Sequence, residues 1–411
     1  MSIDRSDAPK VRILSAAFTL FLLLSGLTYA PDRVAAESVW DQTYGFYVDI
    51  PEGWKLVDGA DPAHLSFSDP TGQAVFQVFR YAGNRYPSAA EMARDIKSKL
   101  HADGDQAPFT YNGRDAMFCD FTFDAQNVRV RGYDLFIVGE DADYALLTYA
   151  PVDVYPDFHD WLLSAADSFS SGDEGLLFPG PVSQFYRPLQ TAAVVSPSRG
   201  SLAAGSPTVK FRGGAALKLS FTKDDGEANQ IVIEREARIL ASYQMDSEPV
   251  PQWKKAWGRY YRMIYRDTYH RFDGIAKQIS ALFDAANMTK PQMATELLAW
   301  LQDFSYTKTN TLSDLESPVS CVLSQTGDCD ALGLTYAILL HHLQIGAVLM
   351  VSVQYSHSMV GVDIPGLGAR FSFDGTQYLV AELTAPVAIG TIDQQMANPA
   401  GWIGIRLTAK P

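Results

Sequence analysis

Cysteine is scarce in this chain of 411 residues, which contains only Cys119, Cys321 and Cys329. Small exported domains built on a disulfide framework need many more cysteines, so the sequence excludes that class. Positive charge is also in deficit, because 33 Lys and Arg stand against 47 Asp and Glu, a formal net charge of −14. This charge repels polyanions, and we therefore expect no nucleic-acid partner.

Long hydrophobic runs are missing after the first 36 residues. The run over 13–27 follows two basic residues and precedes two small-residue cleavage sites, after Ala30 and after Ala36. A basic, an apolar and a small-residue segment in this order form an export signal. An uncleaved anchor is the alternative, although the run is short for a membrane span. We expect residues 1–36 to be a signal peptide and the protein to be periplasmic or secreted, with no other membrane contact.

Motifs for metal binding and for a serine nucleophile are absent as well. The sequence has no His-Glu-x-x-His, no Gly-x-Ser-x-Gly, and no acidic cluster with metal-ligand spacing. We therefore expect no metal and no cofactor. What is present is a globular composition, 47% hydrophobic and 19% charged, in a chain long enough for several α+β domains.

The first predicted domain covers 37–170 and alternates apolar and polar residues in short segments. Such alternation predicts strands of an antiparallel sheet, which we place at 44–50, 65–67, 74–81, 116–123, 128–138 and 144–149. Helices are predicted at 88–100, where Ser88 and Glu91 form a capping box, and at 156–168.

Three features of this domain resemble PsbP-like (Mog1/PsbP) proteins. They are the Gly-Phe-Tyr-Val-Asp-Ile-Pro-Glu-Gly-Trp opening at 45–54, the Tyr-Asn-Gly turn at 111–113, and a terminal helix ending at Ser168-Phe169. The resemblance covers about 130 residues and implies a small antiparallel sheet flanked by helices.

A connector is predicted over 176–250, where Pro, Gly and Ser separate short apolar segments. We expect it to be β-rich, with strands at 192–195, 208–211, 215–221 and 230–234. The residues 231–241 fit a helix equally well, because their apolar positions do not settle the period.

The third predicted domain covers 251–411 and begins with a helical lead-in. Aromatic residues recur there at helical spacing, including Trp253, Trp257, Tyr260 and Tyr261. We interpret this stripe as core-facing; a role in stacking on a ligand is the alternative.

The chemistry-bearing residues follow in the order Cys329, His357, Glu382. Cys329 lies in Gly-Asp-Cys-Asp before an apolar helix, His357 begins a predicted strand, and Glu382 ends the next one. A helix start favours thiolate and offers backbone N–H groups, and we expect that of Cys329 to stabilise an oxyanion. The histidine would take or share the thiol proton and the carboxylate would orient the histidine.

This arrangement resembles the transglutaminase-like domains of the papain-like cysteine superfamily, over about 291–390. The resemblance rests on the upstream helix ending in Trp-Leu-Gln-x-Phe-x-Tyr at 300–306, the Gly-Asp-Cys-Asp helix start, the His-Ser-Met-Val strand and the Glu-Leu-Thr strand end. It implies a papain-type core in which Cys329, His357 and Glu382 are catalytic. The family usually has Asp at the last position, and Glu is one methylene longer.

The resulting hypothesis is an exported enzyme that forms a thioester on an amide of a protein or peptide. Hydrolysis is favoured over cross-linking, because the Gln-Cys-Trp setting of animal cross-linking enzymes is replaced by Asp-Cys-Asp. The alternative is an inactive transglutaminase-like fold that serves as a protein-binding module of the cell envelope. A disulfide could join Cys119 to Cys321, whereas one between Cys321 and Cys329 would block the site. The sequence indicates no oligomeric state.

Overall fold

The computed structural model describes residues 39–41, 45–61, 63–172, 174–186, 206–243, 252–309 and 311–408. The predicted signal peptide and the predicted strand at 192–195 lie outside these ranges. Within them, no helix combines the length and the apolar character that crossing a membrane requires.

The N-terminal region is built on a seven-stranded antiparallel sheet, which agrees with the predicted sheet. In chain order its strands are β3 (Lys55–Asp61), β4 (His64–Ser68), β5 (Val75–Ala82), β6 (Asp103–Tyr111), β7 (Arg114–Ala125), β8 (Val128–Val138) and β9 (Ala142–Pro151). Their order across the sheet is β3-β4-β5-β9-β8-β7-β6. A separate three-stranded sheet contains β1 (Val39–Asp41), β2 (Phe46–Val48) and β10 (Ser170–Ser171).

One helix covers each face of the large sheet. On one face α1 (Ala89–Leu100) buries Met92 and Ile96 against the strands, and Ser88 caps it by accepting from the Glu91 N–H at 3.2 Å. On the other face α2 (Tyr155–Asp167) packs through Leu162 and its neighbours. Because both faces are covered, the sheet side chains form two closed apolar cores.

In its described residues, 176–186 and 206–243, the predicted connector is mainly helical, and the predicted strand at 230–234 is wrong. After α3 (Pro181–Tyr186), a short ribbon pairs β11 (Thr208–Lys210) with β12 (Ala216–Lys218). The helix α4 (Lys223–Ala241) then runs through the predicted strand. Thr222 and Asp225 form a capping box at its start, and this local signal decides between the two periods that the apolar residues left open.

The C-terminal region places helices against a smaller antiparallel sheet. Its helices are α5 (Gln252–Thr268), α6 (Asp273–Ala285), α7 (Lys290–Gln302), α8 (Pro318–Ser324) and α9 (Cys329–His342). A short parallel pair joins β13 (Ser305–Tyr306) to β14 (Thr326–Gly327). The five-stranded sheet contains β15 (Ala347–Ser352), β16 (His357–Val362), β17 (Arg370–Phe373), β18 (Thr376–Ala381) and β19 (Ile403–Ile405), in the order β17-β18-β16-β15-β19.

Helix α9 lies in the centre of the C-terminal core. Its residues 331–340 are all buried, including Leu334 and Ile338, and it packs against β15 and β16. Gly333 allows this close approach, because a Cβ there would lie 3.0 Å from the Leu349 side chain. Burial on all sides fixes the position of the helix start.

Helix α5 joins the two regions. Three arginines, one or two helical turns apart, reach into the N-terminal region: Arg259 donates to the Asp49 carbonyl at 2.7 Å, and Arg262 makes a bidentate pair with the Asp49 carboxylate at 2.8 and 2.9 Å. Arg266 donates to the Ser168 carbonyl at 2.8 Å. The guanidinium groups thereby satisfy backbone carbonyls and a buried carboxylate at the seam.

Candidate active site

The start of α9 holds the candidate nucleophile. Cys329 is the first helical residue, and Asp328 is the N-cap, whose side chain accepts from the Ala331 N–H at 2.7 Å. Asp328 also accepts from the Glu316 N–H at 3.0 Å. Burial and the charge of Asp330 raise the pKa of Asp328 to about 7. The cap leaves Cys329 beside first-turn N–H groups at the positive end of the helix dipole.

The chain that enters α9 is also fixed. The Gly327 carbonyl accepts from the Thr307 N–H at 3.0 Å, next to the pairing of β13 with β14. Gly327 is required here, because a Cβ would lie 2.9 Å from the sulfur of Cys321. The nucleophile therefore follows a tightly packed turn.

Two neighbouring strands supply the histidine and the carboxylate. His357 begins β16 and Glu382 follows β18, and these strands pair with Val360 opposite Ala381. The His357 Nε2 and the Glu382 Oε2 are 2.8 Å apart. This bond leaves Nδ1 as the ring nitrogen that is available to the thiol.

The charge on His357 depends on both partners. Burial alone would lower the pKa of His357, but its interactions with Cys329 and Glu382 outweigh burial and raise that pKa to about 10. Burial would likewise raise the pKa of Glu382, and its contacts with His357 and Thr384 lower it instead. The imidazolium is therefore the favoured form of His357 at neutral pH.

Two residues that the sequence did not predict hold Glu382 in place, one through its carboxylate and one through its backbone carbonyl. Thr384 donates to Glu382 Oε1 through both its backbone N–H and its hydroxyl, each at 2.7 Å. Gln302, the last residue of α7, donates to the Glu382 carbonyl at 2.8 Å and to the Val387 carbonyl at 2.9 Å. Both belong to segments that carried the family resemblance, but the resemblance gave them no positioning role.

The indole of Trp402 lies near the imidazole of His357. Its ring centroid is 6.4 Å from that of His357, in an edge-to-face arrangement, and its own N–H donates to the Met396 carbonyl at 2.8 Å. Trp402 is buried and precedes β19, an element that the sequence did not predict. This ring limits the directions in which the imidazole can turn.

The possible bridge between Cys119 and Cys321 is not formed, and all three cysteines are free thiols. Cys119 lies in the core beneath α1, whereas Cys321 lies in the C-terminal core. Side chains in separate cores cannot reach the short Cβ separation that a disulfide needs. Cys321 is also unpaired with Cys329, so the nucleophile is not blocked.

The site thus combines a thiol, an imidazole and a carboxylate in that order, together with helix-start N–H groups. Such groups can carry out nucleophilic attack on a carbonyl carbon and stabilise the oxyanion that results. In the part of the chain that the structure describes, no three His, Cys, Asp or Glu side chains are grouped to hold a metal ion.

Comparisons with known proteins give only distant structural similarities. No family model and no curated protein matches the chain. It is similar to the cyanobacterial PsbP protein CyanoP from Synechocystis, with 14% identity over 35% of this chain and 97% of that one and a TM-score of 0.29. A Bacteroides thetaiotaomicron protein has 8% identity over 84% of this chain and 89% of its own, with a TM-score of 0.26.

A third similarity is to LpqN, which is involved in cell envelope biogenesis of Mycobacterium tuberculosis. It has 13% identity over 30% of this chain and 82% of that one, with a TM-score of 0.22. CyanoP belongs to the family that residues 45–169 resemble. At such identities and TM-scores, none of these similarities assigns an activity.

Proposed function

We propose that this protein is an exported cysteine-nucleophile enzyme that transfers the acyl group of a protein or peptide amide, more readily to water than to another amine. The observation that carries the proposal is the 2.8 Å bond between His357 and Glu382, formed where the same imidazole interacts with Cys329 at the start of α9. The resemblance to transglutaminase-like domains supports the same chemistry.

In the proposed first step, the Cys329 sulfur attacks the amide carbonyl carbon and the carbonyl π electrons move to the oxygen. The backbone N–H of Cys329 stabilises this oxyanion. The tetrahedral intermediate collapses as the carbon–nitrogen bond breaks, and His357 gives its proton to the leaving amine. A thioester on Cys329 and a free amine are the products of this step.

In the second step, water attacks the thioester carbon. The neutral His357 takes one proton from the water, the carbon–sulfur bond breaks, and a carboxylic acid is released with Cys329 restored. Glu382 stabilises the imidazolium in both steps and keeps its Nδ1 directed at the sulfur. An amine in place of water would give cross-linking.

Hydrolysis is favoured by the residues beside the nucleophile. Asp328 and Asp330 flank Cys329, where animal cross-linking enzymes have Gln and Trp. Asp328 caps α9 and Asp330 accepts from the Tyr261 hydroxyl, so the surroundings of Cys329 differ from those in the cross-linking enzymes.

The test is alkylation by iodoacetamide at pH 6 to 7, with the adduct mapped by mass spectrometry. We expect selective labelling of Cys329 and a rate about 10²-fold lower in His357→Ala, because the imidazolium no longer stabilises the thiolate. His159→Ala is the matched control, since His159 also lies beside a carboxylate, 3.3 Å from Asp160, but at the surface of the N-terminal region.

A Cys329 that reacts no faster than an ordinary thiol, or at the same rate in His357→Ala, would contradict the enzyme. Under that result the alternative stands, and the protein is a binding module of the cell envelope with an inactive fold of this type.

A further inference from the structure

A cavity of about 240 Å³ opens beside the nucleophile and plays no part in the acyl-transfer steps. Asp330, the residue after Cys329, is part of its lining, and its Oδ1 accepts from the Tyr261 hydroxyl at 3.0 Å. Leu312, which is 60% exposed, also lines it. The cavity is therefore near Cys329, since Asp330 follows the nucleophile in the chain and the lining residue Tyr261 interacts electrostatically with Cys329.

The floor of the cavity is aromatic. Trp253, Trp257, Tyr260 and Tyr261 lie on the same side of α5 and all line it. The rings are inclined to one another, at 54° between Trp257 and Tyr261 and at 74° between Tyr260 and Tyr261. The faces of aromatic rings attract organic cations, so a floor with four such rings is suited to binding one.

Among the described residues that line the cavity, Asp330 carries the only carboxyl group and none is basic. Burial raises the pKa of Asp330, whereas interactions with Ser358 and Tyr261 and the charge of His357 act to lower it. Lys254 places its ammonium 5.5 Å from the Trp253 ring centroid without lining the cavity. The aromatic floor thus already attracts a cation at its edge.

The volume of the cavity and the carboxyl in its lining indicate which kind of side chain it would bind. The volume is below the roughly 300 to 1,000 Å³ of pockets for drug-sized ligands, so it suits one side chain. An apolar side chain would remove water from the Asp330 carboxyl and add no partner to the Tyr261 hydroxyl that already donates to it, which costs free energy. A cationic side chain would pair with the carboxyl and lie against the rings.

We propose that this cavity binds a Lys or Arg side chain of the peptide substrate, held between the aromatic rings of α5 and the carboxylate of Asp330. The buried indole N–H of Trp253 has no hydrogen-bond partner among the described residues and would serve a backbone carbonyl of the same peptide. The assignment to a substrate rests on the proposed acyl-transfer function, since it names the peptides which that site would accept.

Binding is measured first in Cys329→Ala, so that the result does not depend on a reactive thiol. The probes are the blocked peptide Ala-Ala-Lys-Ala-Ala and its counterpart with norleucine in place of Lys, titrated by tryptophan fluorescence. We expect the Lys peptide to bind at least about tenfold more tightly, as one aromatic-cation contact and one ion pair would give.

Two further variants, each combined with Cys329→Ala, locate this preference. Asp330→Asn and Trp257→Leu should each reduce the ratio of the two affinities towards one. Asp314→Asn is the matched control, because Asp314 is a partly exposed carboxylate of the neighbouring loop that pairs with Lys308 at 3.0 Å and does not line the cavity. This control should retain the preference.

Equal affinities, or tighter binding of the norleucine peptide or of a phenylalanine counterpart, would overturn the assignment. Failure of the enzyme proposal has a different signature. If the Lys preference is present in Cys329→Ala but the wild-type Cys329 is unreactive, the cavity binds cationic peptides and the acyl-transfer proposal falls. If Cys329 is reactive but there is no preference, only the cavity assignment falls.

Discussion

Cys119 of the N-terminal region and Cys329 of the C-terminal region are both buried, but the neighbours of these two thiols are opposite in kind. Cys119 lies in the middle of β7, fully buried, with Asp134 opposite it on β8. Burial is the main cause that raises the pKa of Cys119, and a charge on Asp134 would add to it. Cys329 begins a helix, retains 8% exposure and lies beside the imidazole of His357.

This difference shows that the residue type alone does not make a nucleophile. Cys119 has its backbone N–H in the sheet ladder, and burial outweighs the effect of the nearby Lys97 charge on its pKa, so a thiolate is disfavoured there. A thiol at a helix start has unpaired N–H groups beside it, and the next strands of the sheet deliver a histidine and a carboxylate. The N-terminal sheet, covered on both faces, offers no such opening.

The largest expected effect is the difference in alkylation rate between Cys329 and Cys119 in the native protein. We expect iodoacetamide to modify Cys329 at least about 10³-fold faster than Cys119, because a fully buried thiol reacts only after local opening. Peptide mapping of the adducts over time measures both rates in one sample.

The control is the same reaction in concentrated guanidinium, where both thiols should react at similar rates. A native-state ratio near one would show that the thiols have similar surroundings, which would contradict the geometry described for Cys329.

The next effect concerns the partner of the histidine. Glu382→Gln removes the negative charge that helps to hold the pKa of His357 at about 10, so the imidazolium should lose its proton at a lower pH. Proton donation to the leaving amine then fails at lower pH, and activity should fall by about 10²-fold at pH 7 or above.

An NMR titration of the His357 ring measures this shift directly. Glu382→Asp keeps the charge but shortens the reach, and it should lie between wild type and Glu382→Gln. Glu316→Gln is the matched control, since Glu316 is a half-buried carboxylate of the same region whose backbone, not its side chain, contacts Asp328. A titration of His357 unchanged in Glu382→Gln would rule out the ion pair.

Local patterns predicted most of the sheet and the elements on or beside which Cys329, His357 and Glu382 lie. The prediction of a strand over 128–138 is confirmed by β8, whose successive residues are directed alternately into the two apolar cores, with Leu135 in one and Phe136 in the other. By contrast, β6 (Asp103–Tyr111) was missed, since it is an edge strand with mostly exposed residues and shows little apolar periodicity.

Contacts between distant segments could not be predicted in the same way. The bond from Gln302 to the Glu382 carbonyl and that from Tyr261 to Asp330 link residues far apart in the chain. The aromatic stripe of α5 was predicted as core-facing, which holds for Tyr261 and for its buried neighbours, whereas Trp253 is only half-buried and lines the cavity. Helical period shows which residues share a face, but not what covers that face.

The smallest expected effect separates burial from charge in the N-terminal region. Asp134 is fully buried and forms no ion pair with described residues, and burial raises its pKa well above the ordinary value. The native state therefore holds a proton that the unfolded chain releases above about pH 4, so wild-type stability falls as pH rises. Asp134→Asn removes this loss, and its stability relative to wild type should grow by at most about 1.4 kcal/mol per pH unit. Urea unfolding at pH 5, 6 and 7 measures the trend, with the exposed Asp105→Asn on the edge strand β6 as control.

Because a protonated Asp134 carries no charge, Cys119 should stay as unreactive in Asp134→Asn as in wild type. A Cys119 that becomes reactive in this variant would show that charge, and not burial, keeps the N-terminal thiol inert.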